Sequence, residues 1–144
     1  MKDYKYLNKL TKQQLIQLVS EKVQVNEPNI VVKAIRDHIK TWEQENFVIV
    51  ALNAAHHILG IKTINIGSST SAVIDIPACF KYLLLKNAYR FIIAHNHPSG
   101  NTNASADDYA LTVRFRDAGK LLGIELLDSL IITPISYVNI MFKE

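Results

Sequence analysis

Two histidines separated by one residue close an apolar run, Ile92-Ile93-Ala94-His95-Asn96-His97, and a Pro98-Ser99-Gly100 turn follows. After Asn101-Thr102-Asn103-Ala104 the chain reaches Ser105-Ala106-Asp107-Asp108. Two imidazoles and one carboxylate are a ligand set for a catalytic zinc, which keeps three protein donors and leaves a fourth position for water. In an extended chain residues i and i+2 point to the same side, so His95 and His97 can reach one ion. Pro98 ends a strand ladder and Gly100 permits a sharp reversal, which lets the chain return with a carboxylate.

The context of Asp108 supports this. From Ser105 the sequence turns helical, with Leu111, Phe115, Ala118 and Leu122 forming the expected apolar stripe. Asp108 precedes Leu111 by three residues and Ser105 precedes Asp108 by three, so both share the inward face. An inward carboxylate is costly unless it is paired or bound to metal. Ser105-x-x-Asp108 also reads as a capping box with Asp in place of Glu. The two readings are compatible: Ser105 can cap while Asp108 binds. Close histidines alone would be consistent with a polar strand end. The His-x-His pair, the Pro-x-Gly turn and the inward acid together predict a metal site.

His95-x-His97-Pro98-x-Gly100, a gap, then Ser105-x-x-Asp108 resembles the JAMM (MPN+) metalloprotease motif. The longer His-Asn-His-Pro-Ser-Gly string, with Leu121-Leu122-Gly123-Ile124 and Leu127-Asp128-x-Leu130-Ile131-Ile132 downstream, is similar to the bacterial RadC family, and the similarity runs from about Trp42 to Ile132. The resemblance implies a three-layer JAB/MPN fold related to cytidine deaminases. It implies Zn2+ held by His95, His97 and Asp108, and a Ser105 hydroxyl that helps stabilise a tetrahedral intermediate. It also implies a glutamate at the start of an upstream strand as general base. The best match is Glu45, in Glu45-Asn46-Phe47-Val48-Ile49-Val50-Ala51-Leu52, with Glu43 second, two residues away on the same strand face. A zinc-activated water, its pKa lowered to about 7, needs such a base within one hydrogen bond.

The chain departs from that family in two places. The stretch before Trp42 is expected to be too short for the helix-hairpin-helix region of larger RadC-like proteins together with an entry helix. Pro77-Ala78-Cys79 stands where RadC-like sequences tend to show Pro-Arg-Glu, so any substrate contact made by that Arg-Glu is not carried over.

Composition narrows the alternatives. The 144 residues suggest one domain, an N-terminal helical part over 1–41 and a core over 42–144 that carries the metal site. An apolar fraction of 49% is ample for that core. The single cysteine, Cys79, excludes an intramolecular disulfide and suits a reducing compartment, so a cytoplasmic setting is expected. Cys79 itself lies on an expected helix beside the core and reads as a buried, inert thiol. No apolar stretch is long enough to span a membrane and the N-terminus lacks a signal-peptide core. The net charge of +3 comes from scattered lysines, which gives DNA only a weak claim as a partner. Zinc nucleobase deaminases need His-x-Glu and Pro-Cys-x-x-Cys, which a chain with one cysteine cannot supply. The leading function is a JAMM-type zinc hydrolase acting on an amide of a peptide or protein substrate. The alternative is a non-catalytic binding module of DNA transactions with a structural metal.

The elements that must position these residues alternate between helix and strand, which argues an α/β domain with a mixed sheet flanked by helices. A helix is expected over 11–23, opened by Thr11-Lys12-Gln13-Gln14, and a second after Asn26-Glu27-Pro28-Asn29 with Val31, Ile35, His38, Ile39 and Trp42 on one side. A buried strand follows from Phe47 to Leu52. A turn at Asn53–His56 leads to a strand ending near Ile66, and His56 and His57 read as turn residues. Residues 67–71 form a loop lining the cleft. A helix runs from Pro77 to about Ala88, a strand from Tyr89 to His95, and a helix from Ser105 to a stop at Gly123. Strand character over 124–133 is interrupted near Asp128, and a last strand spans Ser136 to Phe142.

Overall fold

Five strands form one sheet in the computed structural model, which describes residues 24, 25, 27–67 and 74–141. In chain order they are β1 (Glu45–Leu52), β2 (Ile58–Gly67), β3 (Arg90–His95), β4 (Glu125–Ile132) and β5 (Tyr137–Asn139). They lie in the order β2-β1-β3-β4-β5. The helices are α1 (Pro28–His38), α2 (Ile76–Leu85) and α3 (Ala106–Leu122). The helix expected over 11–23, residues 68–71 of the expected loop and Phe142 lie outside the described residues.

Every position of β1 after Glu45 is buried; from Phe47 on the run is apolar, as expected when both faces of a strand are covered. Alternation sorts the side chains. Phe47, Ile49, Ala51, Phe91 and Ile93 face α2 and α3, where they meet Cys79, Phe80, Leu83, Leu111 and Phe115. Val48, Val50, Leu52, Ile92 and Ala94 face α1, where they meet Val31, Val32 and Ile35. Helix, sheet and helix thus make the three layers, each apolar stripe buried against the sheet.

Strand directions follow from the connections. β1 is antiparallel to β2 and β3, whereas β3 and β4 are parallel and need a crossover, which α3 supplies. On the α1 side, Arg36 donates from Nε to the Thr133 carbonyl at 2.9 Å and from Nη2 to the Ser136 carbonyl at 3.0 Å, tying the helix to the turn before β5. His38 reaches β2 through Thr63 Oγ1 at 2.9 Å, a core-edge role. Cys79 is fully buried, and burial first, then the charge of Asp75, pushes its thiol up to about 12. Among the described residues no helix is long and apolar enough to cross a membrane.

Several expected boundaries shift for physical reasons. Pro28 opens α1 rather than preceding it, because a residue without an N–H fits the first helical turn, whose N–H groups have no partner. α2 ends at Leu85, and Asn87 leaves it with φ +55°. The stripe of α3 is Leu111, Thr112, Phe115 and Gly119, while Leu122 is half exposed because the helix has passed the sheet by then. β4 is continuous: the register slips between Phe91 and Ile92, so Leu127 is an inserted bulge residue and Asp128 stays within the strand. The Asp128 carboxylate accepts from Asn139 Nδ2 at 2.7 Å. The last strand is only three residues long.

Candidate metal centre

β1 and β3 bring the chemistry together through their register. Phe47 sits opposite His95, and the two rings stack with centroids 6.3 Å apart. One period further along the same face, β1 offers Glu45 and the chain after β3 offers His97. Glu45, His95 and His97 each present a ligand atom within 4.8 Å of the others, a set that can hold a metal ion. Glu43 belongs to the turn before β1 and is exposed, not on the strand face expected for it.

The return of the chain is built from the turn chemistry. Gly100 takes φ +80° and donates its N–H to the His97 carbonyl at 2.8 Å. That left-handed conformation suits a residue without a Cβ. Beyond it, Asn101 Oδ1 lies 3.2 Å from His97 Nδ1 and also accepts from Asn103 N, while its Nδ2 donates to Ser99 Oγ. With Nδ1 donating to that carbonyl oxygen, His97 presents the lone pair of Nε2 to the cluster.

α3 starts on a complete capping box. Ser105 Oγ accepts from Asp108 N at 3.1 Å and Asp108 Oδ2 accepts from Ser105 N at 2.9 Å. The same carboxylate faces both imidazoles, with Oδ1 3.1 Å from His95 Nε2 and Oδ2 3.3 Å from His97 Nε2. Capping and facing the histidines are therefore simultaneous. Burial raises the Asp108 pKa, but the His95 ring and the Ser105 N–H outweigh it and hold the carboxyl well below the usual carboxylate range. At the other end α3 stops at Gly123, in the left-handed conformation at φ +74°, as its sequence predicts.

Two observations fit a tetrahedral divalent ion. His95 is buried, and its Nε2 faces Asp108 Oδ1 at 3.1 Å without the alignment of a well-formed hydrogen bond. Such an atom is costly unless something else fills its lone pair. Two zinc bonds of about 2.0–2.1 Å meeting at a tetrahedral corner hold their donors about 3.3–3.4 Å apart. The separations of 3.1 Å from His95 Nε2 to Asp108 Oδ1 and 3.3 Å from His97 Nε2 to Asp108 Oδ2 place the carboxylate within reach of an ion held between the two rings.

Some supporting residues carry no obvious sequence signal. Thr112 donates from Oγ1 to the Asp108 carbonyl at 2.9 Å, so the buried Ser129 hydroxyl, 2.7 Å away, donates to Thr112 in turn. This fixes the first turn of α3 against β4. Asn46 and Asn96 are buried behind the cluster and bonded to each other. Strand parity alone would have pointed Asn96 away from its two histidine neighbours and into the protein.

A profile for the RadC-like JAB domain matches residues 25–143. The chain is 34% identical over 116 residues to a UPF0758 protein of Desulfitobacterium hafniense (strain DSM 10664 / DCB-2), covering 81% of this chain and 51% of that protein. It is 32% identical over 124 residues to a UPF0758 protein of Clostridium tetani, covering 86% of this chain and 54% of the relative. It is 39% identical over 112 residues to a UPF0758 protein of Gloeothece citriformis (strain PCC 7424), covering 78% and 46%. The chain thus spans about half the length of the curated relatives it matches.

Proposed function

From the premise that the chain belongs to the RadC-like JAB domain family, we propose that it is a JAMM-type zinc hydrolase that cleaves an amide bond of a peptide or protein. The observation that carries the reading is the meeting of His95, His97 and Glu45, whose ligand atoms lie within 4.8 Å of one another, with the Asp108 carboxylate, one oxygen 3.1 Å from His95 Nε2 and the other 3.3 Å from His97 Nε2.

His95, His97 and Asp108 would hold the ion. Bound there, zinc supplies Lewis-acid polarisation of the scissile carbonyl and a lowered pKa for its water. Glu45 is assigned as the general base rather than a fourth ligand. A catalytic site keeps three protein donors and an open corner, which a fourth donor would close. Glu45 takes a proton from the attacking water and returns it to the leaving amine, so that one amide and one water give one acid and one amine. The Ser105 oxygen already accepts from Asp108 N. Its own proton is therefore free to donate to the oxyanion, a role whose loss costs about 10²–10³ in rate. Phe47 and Phe115, stacked at 5.6 Å, form the dry wall behind His95.

Elemental analysis of purified variants tests the reading. His97→Ala and Asp108→Ala are expected to lose zinc, whereas Glu45→Gln keeps it stoichiometric and loses chelator-sensitive cleavage of a fluorogenic peptide and isopeptide panel. Full zinc content in both ligand variants overturns the ligand assignment. Loss of zinc from Glu45→Gln moves Glu45 from base to ligand.

A further inference from the structure

The residue between the two histidines and the residue after Glu45 face away from the cluster, and together they form a buried amide pair. Asn46 and Asn96 are 2% and 1% exposed, a degree of burial that amide side chains tolerate only when hydrogen-bonded. At this point the β1–β3 ladder is failing: the backbone bond from Asn96 N to Asn46 O has stretched to 3.4 Å. The side chain takes over. Asn96 Oδ1 accepts from Asn46 N at 2.7 Å and from Asn46 Nδ2 at 3.1 Å.

The remaining donors reach the turn that precedes β1. Asn96 Nδ2 donates to the carbonyls of Trp42 at 3.2 Å and Gln44 at 3.0 Å. Asn46 Nδ2, with one hydrogen shared between two acceptors, also donates to the carbonyls of Thr41 at 2.8 Å and Gln44 at 3.1 Å. Two side chains thus join the 41–44 turn, the first residues of β1 and the last of β3. Each lies next in sequence to a member of the cluster, Asn46 to Glu45 and Asn96 to both His95 and His97.

We infer that Asn46 and Asn96 are positioning residues that fix the separation between Glu45 on one strand and the two histidines on its neighbour, touching neither substrate nor metal. The hydrogen-bond geometry stands by itself; the roles of Glu45 and the histidines rest on the function proposed above. The physical logic is that of supporting contacts around metal ligands. A ligand is only as well aimed as the backbone that carries it, and removing a supporting hydrogen bond typically costs about 10–100-fold in metal affinity.

The test compares wild type, Asn96→Ser, Asn96→Ala, Asn46→Ala, the Asn46→Ala/Asn96→Ala double variant, and Ile35→Val as a core control that shares the asparagines' face of the sheet but touches neither strand end. Zinc affinity is read by competition with a chromogenic chelator. Backbone amide exchange is read by NMR on the metal-free protein. Zinc affinity is expected to fall about 10–100-fold in the single asparagine variants. The double variant should be no weaker than the weaker single, because both break one unit. Ile35→Val should lower Tm and leave zinc affinity unchanged. In metal-free Asn96→Ser, exchange should quicken at Asn46 and Asn96 while mid-strand amides such as Val50 and Ile92 keep their protection. Unchanged zinc affinity with a lowered Tm in the asparagine variants overturns the inference, since the pair would then serve the fold alone. If Asn96→Ala does not fold, Asn96→Ser and Asn46→Ala carry the comparison. If wild type binds no zinc, the proposed function fails, and amide exchange alone decides: loosening confined to the strand ends supports the clamp, and opening along the whole of β1 and β3 overturns it.

Discussion

The two faces of the sheet are packed from different materials. Toward α1 the layer is aliphatic, with Val31, Val32 and Ile35 against Val48, Val50, Leu52, Ile92 and Ala94. Toward α2 and α3 it is aromatic, with Phe115 against Phe47, Phe80 and Phe91, and Phe80 against Phe91, at centroid distances of 5.5–6.2 Å. The candidate metal cluster sits at the rim of the aromatic face, because parity places Glu45 and His95 on the side of Phe47. The aliphatic face stabilises the sheet and, at its edge, carries the Asn46–Asn96 pair. The other also forms the wall of a site, through the Phe115–Phe47–His95 stack.

Changes on each face should separate the two. Phe115→Ala removes a fully buried ring and is expected to cost about 3–5 kcal/mol in denaturant unfolding. It should also weaken zinc binding, since the Phe47 ring that backs His95 loses its support. Ile35→Ala on the aliphatic face should cost about 2–5 kcal/mol and leave zinc affinity where it was. Equal effects of both substitutions on zinc affinity would break the distinction. Asn101→Ala inverts the pattern. It is exposed, so Tm should hold, yet loss of the acceptor for His97 Nδ1 should lower zinc affinity about 10–100-fold in chelator competition. The smallest effect concerns Cys79, deep in the aromatic layer. Its pKa is raised to about 12, so the thiolate that reacts is scarce at any pH below that. At pH 8 the native thiol should resist iodoacetamide and react only in denaturant, as mass spectrometry would show.

How much of this the sequence discloses depends on the range of the interaction. The histidine pair is legible because strand parity is local, and Ser105 with Asp108 because a capping box spans three residues. The choice between Glu45 and Glu43 is not, since it turns on where β1 begins and on the pairing of Phe47 with His95, 48 positions away in the chain. Asp128 looks like an interruption because an acid inside an apolar strand is costly. A bulge at Leu127 and the Asn139 amide remove that cost, and neither is visible from neighbours in sequence. Leu122 fits the helical period yet is exposed, since periodicity cannot say where a helix outruns the sheet beneath it. Asn46 and Asn96 are the most instructive omission. Parity turns Asn96 inward, but only the partners reveal that the two amides bond to each other and to the turn at 41–44.

The capping box of α3 has a consequence for the order in which the site comes into being. Asp108 Oδ2 both satisfies the Ser105 N–H and faces His97. A chain that has closed the first turn of this helix has already aimed its acid. In the proposed zinc site, ion capture would then need only the docking of that turn onto the strand end, with no separate search by the carboxylate. Preorganisation of this kind transfers the entropic cost of assembling a ligand set from the moment of binding to the moment of folding.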